Sequence, residues 1–333
     1  MNYYSELRAV HGGRARYIAK NRSEIIDFSA SINPFPPKID LSVPVDALYR
    51  YPDDEYLVLK QIIARHHQCS PENVTLGNGS VEVIRTLCHT VLGCGKKYYV
   101  PPHTFAEYEV SARLAGAEPS EEDEADVIFI CNPDNPSGVL LSRDDLFQKI
   151  NDLRKEGRIV CIDEAFIDLS DPKQSIIGEH SPGIFVLRSL TKSFAIPGIR
   201  FGYGIGDPAL IASMEVMRPP WTINALAESV VLSAFSHYHE LEYSRQRILV
   251  EKNRLISVVQ NHGWVCFPGS ANYLLIDTKT DARIITDLFL KHGILVRDCT
   301  SFELPTSIRI AVRTPEENDR LIRALESFHS CMH

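Results

Sequence analysis

The sequence predicts an α/β protein with a mainly parallel central sheet covered by helices, followed by a smaller α+β C-terminal domain. Three observations carry that reading. Short, nearly continuous apolar runs alternate with helical segments, as strands buried on both faces do. Small, amide-bearing and charged residues gather where those runs end, and a long amphipathic segment then separates this set from a second set of shorter elements. With 333 residues, 44% of them hydrophobic and 23% charged, the chain can bury a full core divided into two lobes. The expected division is an N-terminal arm over 1–45, a large domain over 46–235 and a small domain over 236–333.

The first 40 or so residues read as irregular. They end in SINPFPPKI (Ser31–Ile39), whose prolines exclude a helix or a central strand, so the segment reads as an arm or lid. A helix follows over Leu57–His67, then a turn at GNGS (Gly77–Ser80), a helix over Val81–Leu92 and a strand at Lys97–Val100. The apolar runs VIFIC (Val127–Cys131), IVCID (Ile159–Asp163), IFVLR (Ile184–Arg188) and FGYGIG (Phe201–Gly206) read as core strands, with a helix between the first two. The amphipathic segment spans roughly Ile223–Asn261, and short strands and helices run from Trp264 onward. The acidic run at 121–126 reads as a solvated loop.

Composition narrows the function. A net charge of −8 argues against nonspecific nucleic-acid or membrane-surface binding, so any anion site must be local. No stretch approaches the roughly 18 apolar residues that span a bilayer, and the N-terminus lacks a signal-peptide core. The eight cysteines form no CxxC pair, which suits buried thiols in a reducing cytoplasm and gives no metal site.

Four features fall at the predicted strand ends. GNGSVE places Gly79, Ser80 and Val81 at a helix N-terminus, where free amides and the helix dipole attract an anion, although the same run also suits a plain turn. NPDNPSG after VIFIC presents Asn135 between two prolines, and as a loop alone it would mean little. Asp163 ends a buried strand, where a carboxylate needs a positive partner. Ser189, Lys192 and Arg200 then offer a hydroxyl, an amine and a guanidinium in one run. Pyridoxal 5'-phosphate needs this combination: an amine for its aldehyde, a carboxylate for its ring nitrogen, donors for its phosphate and an aromatic wall for its ring.

On these residues the chain resembles the fold-type I pyridoxal-phosphate enzymes of the histidinol-phosphate aminotransferase subgroup, transferase-like in fold. Within that subgroup it resembles the threonine-phosphate decarboxylases, through HGG (His11–Gly13), DFSASINP (Asp27–Pro34), RYPDDEY (Arg50–Tyr56), FAEY (Phe105–Tyr108), DEAFID (Asp163–Asp168), LRSLTKSFAIPGIRFGY (Leu187–Tyr203), PPWTINALA (Pro219–Ala227), SANYLL (Ser270–Leu275) and RIAVR (Arg309–Arg313). The resemblance implies that Lys192 is the Schiff-base lysine, that Asp163 pairs with the ring nitrogen, that Asn135 bonds the ring oxygen and that Tyr108 stacks on the ring. It implies a phosphate site from Gly79, Ser80, Val81, Ser189 and Arg200, completed by Tyr51 from the other subunit of a homodimer. Phe166 departs from many aminotransferases, which carry a tyrosine there, and the loss of that hydroxyl favours a chemistry other than transamination. Ser80 is a second departure, since the decarboxylases carry an acidic residue at that place.

For a phosphorylated amino-acid substrate the candidate donors are His11 and Asn33 on the arm and Arg297, Arg309 and Arg313 in the small domain. Strand alternation sets Arg309 and Arg313 on one face, and the guanidinium fork suits carboxylate and phosphate alike. The expected reaction is decarboxylation of threonine phosphate or serine phosphate. Histidinol-phosphate transamination is the alternative.

Overall fold

The computed structural model describes Ala9, residues 11–13 and residues 25–328. In chain order the strands are β1 (Ile26–Asp27), β2 (Val74–Gly77), β3 (Lys97–Tyr99), β4 (Glu118–Pro119), β5 (Val127–Cys131), β6 (Ile159–Asp163), β7 (Ile184–Ser189), β8 (Gly202–Gly206), β9 (Val265–Cys266), β10 (Tyr273–Asp277), β11 (Ile294–Leu295), β12 (Arg297–Asp298) and β13 (Ser307–Ala311). The helices are α1 (Leu57–His67), α2 (Ser80–Val91), α3 (Glu107–Leu114), α4 (Arg143–Leu153), α5 (Leu190–Ser193), α6 (Pro208–Met217), α7 (Ala225–Ser236), α8 (Leu241–Asn261), α9 (Ala282–Lys291) and α10 (Pro315–Phe328).

The large sheet has seven strands in the order β2-β8-β7-β6-β5-β3-β4, and β8 alone runs against its neighbours. β5, β6 and β7 are buried nearly end to end, which explains their unbroken apolar sequences. Two charged residues interrupt this block, Asp163 at the end of β6 and Arg188 on β7. For Arg188 the partners are carboxylates. Its guanidinium donates to Glu164 at 2.9 Å and to Asp168 at 2.6 Å, so a buried cation is compensated by two buried carboxylates. That pairing ties down the segment following Asp163. A second, four-stranded antiparallel sheet, β12-β13-β10-β9, forms the smaller C-terminal unit.

Several expectations change. The arm is not wholly irregular: β1 pairs in parallel with β11, and the Phe28 carbonyl then accepts from the Ala311 amide at 2.8 Å. β2, unanticipated in the sequence, lies just ahead of the GNGS turn. The amphipathic segment is two helices, α7 and α8. Ser236 Oγ and the His237 ring both turn back onto the Ser233 carbonyl, at 2.7 and 2.9 Å, and so divert backbone bonding at the end of α7.

Candidate active site

A cavity of about 330 Å³ opens beyond the carboxyl ends of β6 and β7, where a parallel sheet gathers ligands. Its walls carry Lys192, Arg200, Arg297, Arg309 and His11, and no aspartate or glutamate among the described residues. In a chain of net charge −8, this is a local concentration of positive charge.

Lys192 sits on α5, one short turn after β7, and faces the cavity. Burial, with Arg200 and Arg309 nearby, pulls its amine down to about 8, against the opposing pull of Asp163. A larger fraction of free amine at neutral pH makes this lysine a nucleophile. Asp163 ends β6, buried, with Oδ2 accepting from Tyr108 Oη at 2.6 Å and Oδ1 from the Ala165 amide at 2.9 Å. Burial raises its carboxyl, while those two hydrogen bonds and Lys192 favour the anion.

The anion cradle has a steric cause. Gly79 caps α2 at φ 84°, ψ 159°, a region essentially confined to glycine, and a Cβ there would strike the Arg200 guanidinium. Arg200 therefore lies across the start of α2, where Ser80 and Val81 also line the cavity with first-turn amides that have no helical acceptor. Ser189 lines the same region and shares a 2.8 Å hydrogen bond with Thr191, a lining residue that sequence reasoning missed.

Three expected residues lie elsewhere. Tyr108 does not face the cavity: it is fully buried, stacked on Phe129 with ring centroids 5.0 Å apart, and holds Asp163 from behind. Phe105 supplies the aromatic wall in its place. Asn33 is consumed by structure, donating to the Ser193 carbonyl at 2.7 Å and to Ser244 at 3.0 Å while its oxygen accepts from the Phe35 amide. It braces the Lys192 turn and leaves no group for a substrate. Arg313 lies beyond β13, which stops at Ala311, and its guanidinium pairs with Glu317 at 2.8 Å.

Arg309 and Arg297 do face the cavity, as direct partners on β13 and β12. Arg309 donates to Asn135 and to the Ser29 carbonyl, stacks over Tyr273, and keeps a buried Nε with no hydrogen-bond partner. Arg297 donates to Ser301 at 2.7 Å and lies over Phe302, another wall residue the sequence did not reveal. Ser31 also lines the cavity with an unpartnered buried hydroxyl. Phe166 is on the wall, edge-on to Tyr273. Tyr51 is 80% exposed, tilted against Trp221 with ring centroids 4.6 Å apart, and away from this cavity. The seven described cysteines are unpaired thiols, no described residues cluster as metal ligands, and no described helix is long and apolar enough to cross a membrane.

The fold and this lysine-centred, cationic cavity define a fold-type I pyridoxal-phosphate enzyme. The family model "Aminotransferase class I and II" matches residues 46–325, and the chain belongs to that family, with pyridoxal 5'-phosphate as its cofactor. It is 33% identical to the threonine-phosphate decarboxylase of Salmonella typhimurium, over 96% of this chain and 97% of that protein. The solved histidinol-phosphate aminotransferase of Clostridium acetobutylicum is 27% identical, with a TM-score of 0.81 over 91% of this chain and 98% of that one. The Sinorhizobium meliloti histidinol-phosphate aminotransferase, solved with pyridoxal 5'-phosphate, shares the fold at a TM-score of 0.85 and 20% identity, over 98% of this chain and 99% of that one.

The site fits that cofactor on its own terms. The orphaned Ser31 hydroxyl and Arg309 Nε, together with a wall of cations unaccompanied by carboxylates, call for anionic and acceptor groups.

Proposed function

We propose that the chain decarboxylates L-threonine O-3-phosphate, giving (R)-1-amino-2-propanol O-phosphate for cobalamin biosynthesis, with L-serine O-phosphate as a second candidate substrate. The observation that carries this reading is the cavity wall: His11, Arg297 and Arg309 face the same space as Lys192 and Arg200. It has more cationic groups than one cofactor phosphate needs, as a substrate with both a carboxylate and a phosphate requires. The similarity to the Salmonella decarboxylase along nearly the whole chain supports it.

When bound, the cofactor supplies an electron sink for the pair released as a bond to the substrate's α-carbon breaks. Lys192 would hold its aldehyde, Asp163 its ring nitrogen, Asn135 its ring oxygen, and Ser80, Val81, Ser189 and Arg200 its phosphate. Phe105 would wall the ring, and Phe166 adds no hydroxyl near the ring oxygen. Tyr108 keeps Asp163 oriented. The residues select the bond by anchoring the substrate at both ends. Arg309, bonded to Asn135 next to the ring, takes the carboxylate end; Arg297, leaning toward Ser301, takes the phosphate with His11. In its protonated form Lys192, whose lowered value of about 8 makes the ammonium a readier acid than an ordinary lysine, would return a proton to the α-carbon.

Exposed apolar side chains, among them Leu48, Tyr49, Val58 and the Tyr51–Trp221 pair, support a homodimer in which Tyr51 reaches the partner's cofactor phosphate. Unpaired thiols suit a cytoplasmic enzyme. The second reading, histidinol-phosphate transamination, draws on the similarity to the Clostridium aminotransferase. Incubation with threonine phosphate and no keto acid separates the two. Decarboxylation yields one carbon dioxide per aminopropanol phosphate; a transaminase stalls after at most one turnover.

A further inference from the structure

The entry to α3 sends three neighbouring side chains in three directions. Phe105 walls the cavity, Tyr108 reaches Asp163, and Glu107 turns toward the arm. Glu107 is only 6% exposed and has no part in the function proposed above. Its Oε1 lies 2.8 Å from His11 Nε2, and its Oε2 lies 3.4 Å from Arg85. A carboxylate so buried is poorly compensated by a half-exposed arginine at that distance. The His11 contact is the short one, and it is the main reason the Glu107 carboxyl is held below its ordinary range.

A second observation shows that this segment of the arm has one seat. Gly12 packs so closely on the Ser29 carbonyl that a Cβ would collide with it, and the Gly13 amide donates to Ser29 Oγ at 2.9 Å. Ser29 Oγ in turn donates to Asp27 at 2.6 Å. The HGG and DFSAS segments thus lock together on one side of His11, and Glu107 holds its ring on the other. His11 itself lines the cavity, 5.9 Å from the Phe105 ring.

We propose that Glu107 is a positioning residue, which fixes the His11 imidazole at the edge of the cavity as a donor to the substrate's phosphate. With Nε2 held by the Glu107 carboxylate, Nδ1 is the ring nitrogen left to donate to the phosphate. This is the orienting role a carboxylate plays toward histidine in many sites. The inference rests on the reading that the substrate is phosphorylated, and is indifferent to whether it loses carbon dioxide or its amino group.

The test uses the holoenzyme and the variants Glu107→Gln, His11→Asn, their double mutant, and Arg85→Gln. Glu107→Gln and His11→Asn should each raise KM for threonine phosphate roughly 10- to 100-fold, the range of one charge-assisted hydrogen bond, and change kcat less than about 3-fold. The double mutant should be no worse than either single one, because both remove the same contact. Arg85→Gln should leave KM within about 3-fold, and Glu107→Asp should fall between wild type and Glu107→Gln. Calorimetric titration of the holoenzymes with inorganic phosphate should weaken in parallel, with the cofactor's absorbance unaltered. An unchanged KM in a well-folded Glu107→Gln, or multiplying effects in the double mutant, overturns the proposal. Wild-type turnover decides the decarboxylase reading separately; if histidinol phosphate proves to be the substrate, the same variant ratios are read with it.

Discussion

Gly79→Ala tests the link from backbone geometry to cofactor binding. At φ 84° and ψ 159° an alanine costs about 1–3 kcal/mol of backbone strain. Its methyl would also collide with the Arg200 guanidinium, so the tip of Arg200 must shift from its place at the start of α2. Losing one charge-assisted hydrogen bond to the cofactor phosphate costs about 1.5–3 kcal/mol, or roughly a 10- to 150-fold weaker Kd. Strain of about 2 kcal/mol in a chain of this size lowers Tm by about 3 °C. The assays are a fluorescence titration of apoenzyme with pyridoxal 5'-phosphate and a thermal melt of the same sample. Gly198→Ala, two residues before Arg200 with nothing within 4 Å of its added Cβ, is the control and should be neutral in both. A Gly79→Ala enzyme with wild-type Kd would refute the argument that this glycine makes room for Arg200.

Three further outcomes follow from the same geometry. Lys192→Ala should lose the cofactor's protein-linked visible band and all turnover, read by absorbance and product release. Because the folded Lys192 amine titrates near 8, below its unfolded value, the unfolded chain binds more protons between about 8 and 10.5; apoenzyme stability from this group should rise with pH across that window, and Lys192→Met should lack that part of the slope in melts. Tyr108→Phe removes the hydroxyl that favours ionised Asp163, so kcat should fall about 10-fold with little change in KM, and the pH dependence of the bound cofactor's absorbance should shift.

Much of this was legible because the large sheet is buried on both faces and so writes its strands as apolar runs. VIFIC and IVCID match β5 and β6 residue for residue, and LVLKQIIARHH matches α1. Short, glycine-rich or paired elements are harder to read. β2 has four residues running straight into a glycine turn, and the reversed direction of β8 is a property of connectivity that no local pattern encodes. At the site, residue type was readable and direction was not. Phe105 and Tyr108 are aromatics at the entry to one helix, and only packing against Phe129 decides which is buried. Alternation along RIAVR failed for Arg313 because β13 ends two residues earlier. Asn33 reads as a donor in a lid, yet its amide is taken up by Ser193 of the Lys192 turn, Ser244 of α8 and the Phe35 amide. Phe302 left no sequence signal, since it enters the wall through a turn after β12.

The central claim, that this lysine and its arginines serve decarboxylation, is tested most directly by offering both substrates to one holoenzyme preparation. With threonine phosphate, histidinol phosphate and 2-oxoglutarate present together, the account predicts continuous release of carbon dioxide and aminopropanol phosphate, with glutamate negligible. Steady glutamate formation from 2-oxoglutarate without carbon dioxide would contradict it.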